Sequence, residues 1–347
     1  MPKVAVLTSR ATSLKNVARD IASVARSQGL IPVLVDYRML VYELERIADA
    51  SITCMVFNPL ACGNWILLNY EANRRGHKNV FYATVEGNPR KFHVRDWMRY
   101  GTYVVANSNY TKEKIEEAGV AVQDVVYHGI NFEDVKAAMG LRESARAYLR
   151  ERLGEGIYVG VVANSHPRKG LKIFANVIRE VRERNKDIKF FILTEPRARS
   201  FFFDIDGTYV ETSFGKYSRA EVLGLIGAFD IYAHPSLCEG FGLPVLESMA
   251  LGVLSVHLAY PPLIEFSDKS FNFFVPWYDI EYESFSEGID YELHIYNTKE
   301  FAEAILEAAD CMTSRKSEWE DRVAKAKEKA KEFDITKLYT RLLEHIK

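Results

Sequence analysis

The sequence predicts an α/β fold of two doubly wound parallel sheets facing across a cleft, and three observations carry that expectation. Short apolar runs alternate with helix-period stretches, as in β-α-β units. The alternation begins again at Tyr158, after a densely charged helical stretch. With 347 residues, 48% hydrophobic and 27% charged, the chain can bury two sizeable cores.

The elements follow in order. Residues 4–8 form a buried strand, 14–28 a helix that Gly29 stops, and 31–35 a second strand. Strand-like runs at 53–57, 80–84 and 103–106 alternate with helical stretches. A helix starts after Ser108 or Asn109, and residues 125–135 read as strand and turn. The helical stretch 133–155 closes on Gly154 and Gly156, so the interdomain connection is placed at 136–156. The first domain is then 1–135 and the second 157–331, with strands near 158–163, 190–194, 209–211, 230–234 and 254–258. Helices fall at 171–184, 218–228 and 244–251. Residues 276–298 break the pattern with an aromatic and acidic run. Helices follow at 299–312 and 317–331, the latter with a narrow stripe of Trp319, Val323, Ala326 and Ala330, and at 336–346 within a terminal segment 332–347.

Composition excludes several classes. A formal net charge of -2 gives no overall field for nucleic acid. Cys54, Cys62, Cys238 and Cys311 are scattered without C-x-x-C spacing, so neither a zinc site nor a disulfide framework is expected. The first residues lack a signal-peptide layout, and no apolar run approaches the roughly 18 residues that span a bilayer. A cytoplasmic protein, at most peripheral at a membrane, is the expectation.

The chemistry concentrates in HPSLCEGFGLPVLESMALGV, residues 234–253. Gly240 and Gly242 flank Phe241 and let the backbone come close to a ligand, and Pro244 opens a helix. Free N–H groups at such a helix start favour an anion or polar ligand. Glu239 and Glu247 stand with seven residues between them, so two carboxylates can accept hydrogen bonds from separate hydroxyl-bearing parts of one ligand.

The ordered set Glu239, Gly240, Phe241, Gly242, Leu243, Pro244, Glu247, Ala250 and Gly252 closely resembles the E-x7-E signature of retaining nucleotide-sugar glycosyltransferases of the GT-B fold, glycosyltransferase family 4 above all. The resemblance implies two Rossmann-like domains and a terminal helix crossing back to the first. It implies donor binding by the second domain, with Glu239 on hydroxyls of the transferred sugar, the Gly240 to Leu243 backbone on sugar and phosphate, and Glu247 on the ribose diol. Lys169 and Gly170 match the family's diphosphate-binding Lys-Gly, whereas Asn164 stands where an Arg is usual, and Arg168 is expected to supply the missing charge. The leaving phosphate oxygen, rather than a protein nucleophile, takes part in the family's front-face reaction. No cofactor and no metal are implied; Asp204, Ile205 and Asp206 precede Gly207 as a turn, not a metal motif.

The first domain departs further from the family. Its usual Gly-Gly loop is replaced by Thr8 to Ser13, in which Ser9, Arg10 and Thr12 are candidates for phosphate or acceptor contact. Glu86 occupies the family's His position and is a candidate for sugar contact or proton handling. His128, before Gly129, is expected to be structural, and base contacts are expected around residues 212–215. The implied partners are a nucleotide-sugar donor and a carbohydrate, lipid-linked or small-molecule acceptor, with room for a homodimer. The 276–298 run favours a packed surface excursion over an acceptor-stacking or dimer role, and the 317–331 helix a solvated face over lipid docking. Competing readings are a phosphorylase or epimerase of the same fold and a catalytically silent sugar-nucleotide-binding protein.

Overall fold

The computed structural model describes residues 1–9, 11–36, 47–57, 70, 74, 76–90, 103–285 and 289–347. The first half contains β1 (Lys3–Thr8), α1 (Thr12–Ser27), β2 (Ile31–Asp36), β3 (Ala50–Val56), β4 (Lys78–Thr84), β5 (Gly87–Pro89), β6 (Tyr103–Ala106), α2 (Asn109–Glu117) and β7 (Asp124–Val125). Two helices, α3 (Phe132–Met139) and α4 (Arg142–Leu153), lead into β8 (Ile157–Val162), α5 (Leu171–Arg184), β9 (Ile188–Leu193) and β10 (Thr208–Glu211). Then come α6 (Arg219–Ala228), β11 (Ile231–His234), α7 (Leu243–Leu251), β12 (Leu254–Leu258) and β13 (Phe273–Val275). The chain ends with β14 (Asp279–Ser284), β15 (Ile289–Ile295), α8 (Thr298–Ser314), α9 (Lys316–Lys331) and α10 (Ile335–Glu344).

Six strands in the order β2-β1-β3-β4-β6-β7 make one wholly parallel sheet. A second parallel sheet runs β10-β9-β8-β11-β12-β13. Parallel strands joined by crossover helices are covered on both faces, which is why they are continuous apolar runs such as Val4 to Leu7. On α1 the buried residues Leu14, Val17, Ile21, Val24 and Ala25 recur at helical spacing. Ile335, Tyr339, Leu342 and Leu343 of α10 join α1 in one hydrophobic cluster, so the last helix packs on the first sheet.

Two expectations change. The charged stretch 133–155 is two helices broken at Gly140 and Leu141, because glycine disfavours the helix interior and Leu141 is drawn against Gly224 of α6. The 276–298 run is not a separate surface excursion. It forms the antiparallel hairpin β14-β15, and β15 pairs in turn with β5 of the first half, bridging the two domains with a third sheet. Ala326 and Ala330 of α9 are fully buried while its lysines and glutamates face outward. No helix among the described residues is long and apolar enough to cross a membrane.

Candidate active site

In the second sheet the strand order reverses between β8 and β11, the place where doubly wound sheets open a crevice for ligands. The loops leaving those two strands are locked together. After β8, Asn164 Oδ1 accepts from the His166 amide at 3.2 Å, and His166 Nδ1 accepts from the Arg168 amide at 3.3 Å. Residues Pro167–Lys169 make a single 3-10 turn. Gly170 then takes φ +65°, and a Cβ there would lie 2.2 Å from the Pro235 carbonyl oxygen. The Leu237 amide donates to the Arg168 carbonyl at 2.7 Å. Local turn chemistry thus aims two consecutive cations from one loop at the carboxylate of the other.

The result is a buried charge cluster. Lys169 Nζ donates to Glu239 Oε1, and Arg168 Nη1 lies 3.5 Å from Glu239 Oε2. Arg168 also donates to the Cys238 carbonyl at 3.2 Å and, through Nη2, to Glu86 Oε1 at 2.6 Å. His234 Nε2, at the end of β11, sits 3.0 Å from Glu239 Oε1 but off the line of a hydrogen bond. Burial alone would raise the Glu239 carboxyl, yet Lys169, His234 and Arg168 outweigh it and hold it well below the usual carboxylate range. Burial lowers His234, with Glu239 opposing and the two cations adding to the shift. Arg168 remains charged although buried, because Glu86 and Glu239 face it.

Glu86 reaches this cluster from the turn between β4 and β5 of the first domain, so the cleft is closed over its charges. Other contacts seal it. A Cβ on Gly240 would fall 2.7 Å from Thr84 Cγ2 and 3.0 Å from the Val85 carbonyl oxygen. Asn107 Nδ2 donates to the Gly240 carbonyl at 3.1 Å. The Phe241 side chain packs between His128 and Phe266, with ring centroids 5.2 and 5.1 Å away, which leaves only its backbone to serve a ligand. Glu265 of the second domain accepts from the Asn109 and Tyr110 amides at 2.9 and 2.8 Å, capping α2 of the first. Lys114 meets Glu292 at 2.9 Å and Arg90 meets Asp290 at 2.9 Å.

Glu247 lies in a second network. Arg219, the first residue of α6, is 3.7 Å from Glu247 Oε1, 2.7 Å from Asp20 Oδ2 and 3.2 Å from Asp134 Oδ2. Burial raises both the Glu247 and Asp20 carboxyls, with Arg219 opposing.

Of the residues singled out from sequence, Glu239, Lys169, Arg168 and Glu86 meet in one cluster, with Gly240, Phe241, Gly242 and Leu243 continuing from it into α7. Asn164 shapes the turn. Ser9 and Thr12 stand where β1 gives way to α1, and among the described residues neither contacts the cluster. Arg10 lies outside the described residues. His128 is buried between Tyr82 and Thr84, 2.9 and 3.3 Å from their hydroxyls. Sequence reasoning missed His234, although it closes a strand immediately before the motif. It also missed Asn107, Glu265 and Asp20, whose partners are 133, 156 and 199 positions away and leave no local signal.

A family model described as Glycosyl transferases group 1 matches residues 156–310. An uncharacterized glycosyltransferase of Sulfolobus islandicus rod-shaped virus 1 is 30% identical over 347 residues, spanning 99% of this chain and 100% of its own. This chain belongs to the group 1 glycosyltransferases. A putative glycosyltransferase of a Sulfolobus islandicus filamentous virus resembles this glycosyltransferase at 25% identity over 74% of the chain and 73% of its own. Among solved structures, Anabaena HepE in complex with UDP and glucose matches with a TM-score of 0.69 and 13% identity, covering 99% of both chains. A UDP-forming trehalose-phosphate synthase from Burkholderia xenovorans matches with a TM-score of 0.72 and 11% identity over 100% of this glycosyltransferase and 99% of its own chain. The shared architecture is GT-B, two parallel-sheet domains closing on one another.

Proposed function

We propose that this glycosyltransferase moves a sugar from a nucleoside-diphosphate sugar to a hydroxyl-bearing acceptor, with retention at the anomeric carbon and without a metal ion. The observation that carries this reading is the pair of consecutive cations, buried Arg168 and half-buried Lys169, held against Glu239 where the second sheet changes strand order. Departure of a diphosphate builds negative charge on its oxygens, and fixed cations in a water-poor site stabilise that charge as it forms. Lys169 and Arg168 take this role. Glu239, ionised in its pocket, accepts hydrogen bonds from hydroxyls of the transferred sugar, and the Gly240 to Leu243 backbone donates to sugar and phosphate. Glu247 takes the ribose diol, with Arg219 holding its position.

Retention follows from attack on the face the diphosphate leaves, its oxygen accepting the acceptor's proton, so no protein nucleophile is assigned. Asp206 is engaged by Arg182, which supports reading the Asp-x-Asp as a turn rather than a metal ligand set. The HepE complexes with UDP and UDP-glucose favour a uridine donor.

The test is a thermal-shift screen of UDP, GDP, ADP and their sugar conjugates, with EDTA and with a divalent metal, followed by NMR of the product's anomeric configuration. A shift with one nucleotide family, unchanged by EDTA, and a retained anomer are expected. Stabilisation only with metal, or an inverted product, would remove the corresponding part of the proposal.

A further inference from the structure

We propose that Glu86 is a displaceable placeholder anion: in the empty cleft its carboxylate occupies the Arg168 guanidinium that the donor's diphosphate takes over, and donor binding expels it. This rests on the donor reading above. The cluster is charge-balanced as it stands, with Arg168 and Lys169 against Glu86 and Glu239. A diphosphate entering that balance would set buried anion against buried carboxylate, which is strongly unfavourable where water is excluded. One carboxylate must leave.

The geometry selects Glu86. Glu239 has three nitrogens around it, from Lys169, Arg168 and His234, all on its own domain. Among the described contacts, Glu86 is held by Arg168 alone, and it comes from the opposite domain on a turn between two strands. Arg168 itself cannot follow, because its Nη1 donates to the Cys238 carbonyl and its carbonyl accepts from the Leu237 amide. Exchange of Glu86 for phosphate keeps the guanidinium paired throughout and frees a carboxylate beside the Gly240 loop. The same exchange removes one of the ion pairs that bridge the domains, while the Glu265, Lys114 and β5-β15 contacts remain.

The experiment is calorimetric titration of inorganic pyrophosphate into the wild-type protein, Glu86→Gln and Glu86→Asp, with UDP-glucose titrated in parallel. Glu86→Gln removes the competing charge and Glu86→Asp shortens its reach, so pyrophosphate should bind tenfold or more tightly to the first and by an intermediate factor to the second. Without ligand Glu86→Gln should melt below wild type, and the gap should close at saturating pyrophosphate, a convergence that loss of a merely structural contact would not produce. Pyrophosphate binding equal to or weaker than wild type in both variants, or absent from all three proteins, overturns the placeholder. If Glu86→Gln does not fold, Glu86→Asp decides by the same criterion. Tighter pyrophosphate binding with no UDP-glucose binding in any protein would keep the placeholder and overturn the uridine donor.

Discussion

Lys169 and Glu239 are 70 positions apart and share one part-buried hydrogen bond, so each depends on the other for solvation. Removing one partner leaves an uncompensated charge in a dry site. Glu239→Gln should therefore lower transfer by on the order of 100-fold or more and destabilise the fold by about 1–3 kcal/mol, measured by initial rates and urea unfolding. A variant that unfolds earlier yet transfers at the wild-type rate would reduce Glu239 to a structural residue. Glu247 faces Arg219 rather than the cluster, and the expected effect differs in kind. Glu247→Ala should weaken donor affinity about tenfold while kcat changes little, and calorimetry with UDP checks it.

At the scale of elements, the two domains meet through backbone as much as through side chains. Gly240 carries its loop against the end of β4, with no room for a methyl group beside Thr84 and Val85. Gly240→Ala should hold the domains apart, giving a larger radius of gyration in small-angle scattering and a raised donor KM; an unchanged scattering profile would show that β4 yields instead. Glu265 caps α2 from the other domain and also accepts from the Tyr127 hydroxyl at 2.9 Å. Its loss leaves first-turn amides unsatisfied, so Glu265→Ala should cost about 0.5–2 kcal/mol, read by thermal or urea unfolding. The β5-β15 pairing closes the same side of the cleft with main-chain hydrogen bonds, which hold whatever charge the ligand brings.

Across the whole molecule, buried histidines set how the fold responds to acid. Burial pushes His128 and His257 down from 6.5 to about 3. Between those values the unfolded chain binds a proton at each and the folded chain does not, so their contribution is complete above 6.5 and is lost as pH falls toward 3. Each should weaken stability by up to ~1.4 kcal/mol per pH unit in that window. Glu239, held low, adds to the loss once pH passes below the ordinary carboxyl range. Asp20 and Glu247 act oppositely, since their raised carboxyls favour the folded state as pH falls through those raised values. Urea unfolding from pH 7 to 5 should show falling stability, and His257→Gln should flatten the slope; parallel slopes for the two proteins would place that histidine's proton binding elsewhere.

Much of this was legible in the chain. Alternating apolar runs and helix-period stretches determined the two parallel sheets, because a strand covered on both faces has to be continuously apolar. The motif around Glu239 to Gly252, with Lys169 and Gly170, placed the site's main residues, because tight turns and helix starts require particular residue types at fixed offsets. What only the tertiary structure decided is which charges meet across the cleft. Glu86 against Arg168, Asp20 against Arg219, Glu265 over α2 and β5 beside β15 join segments 82 to 204 positions apart. No local propensity records such pairings, because long-range register comes from the packing of finished domains and not from the chain between them.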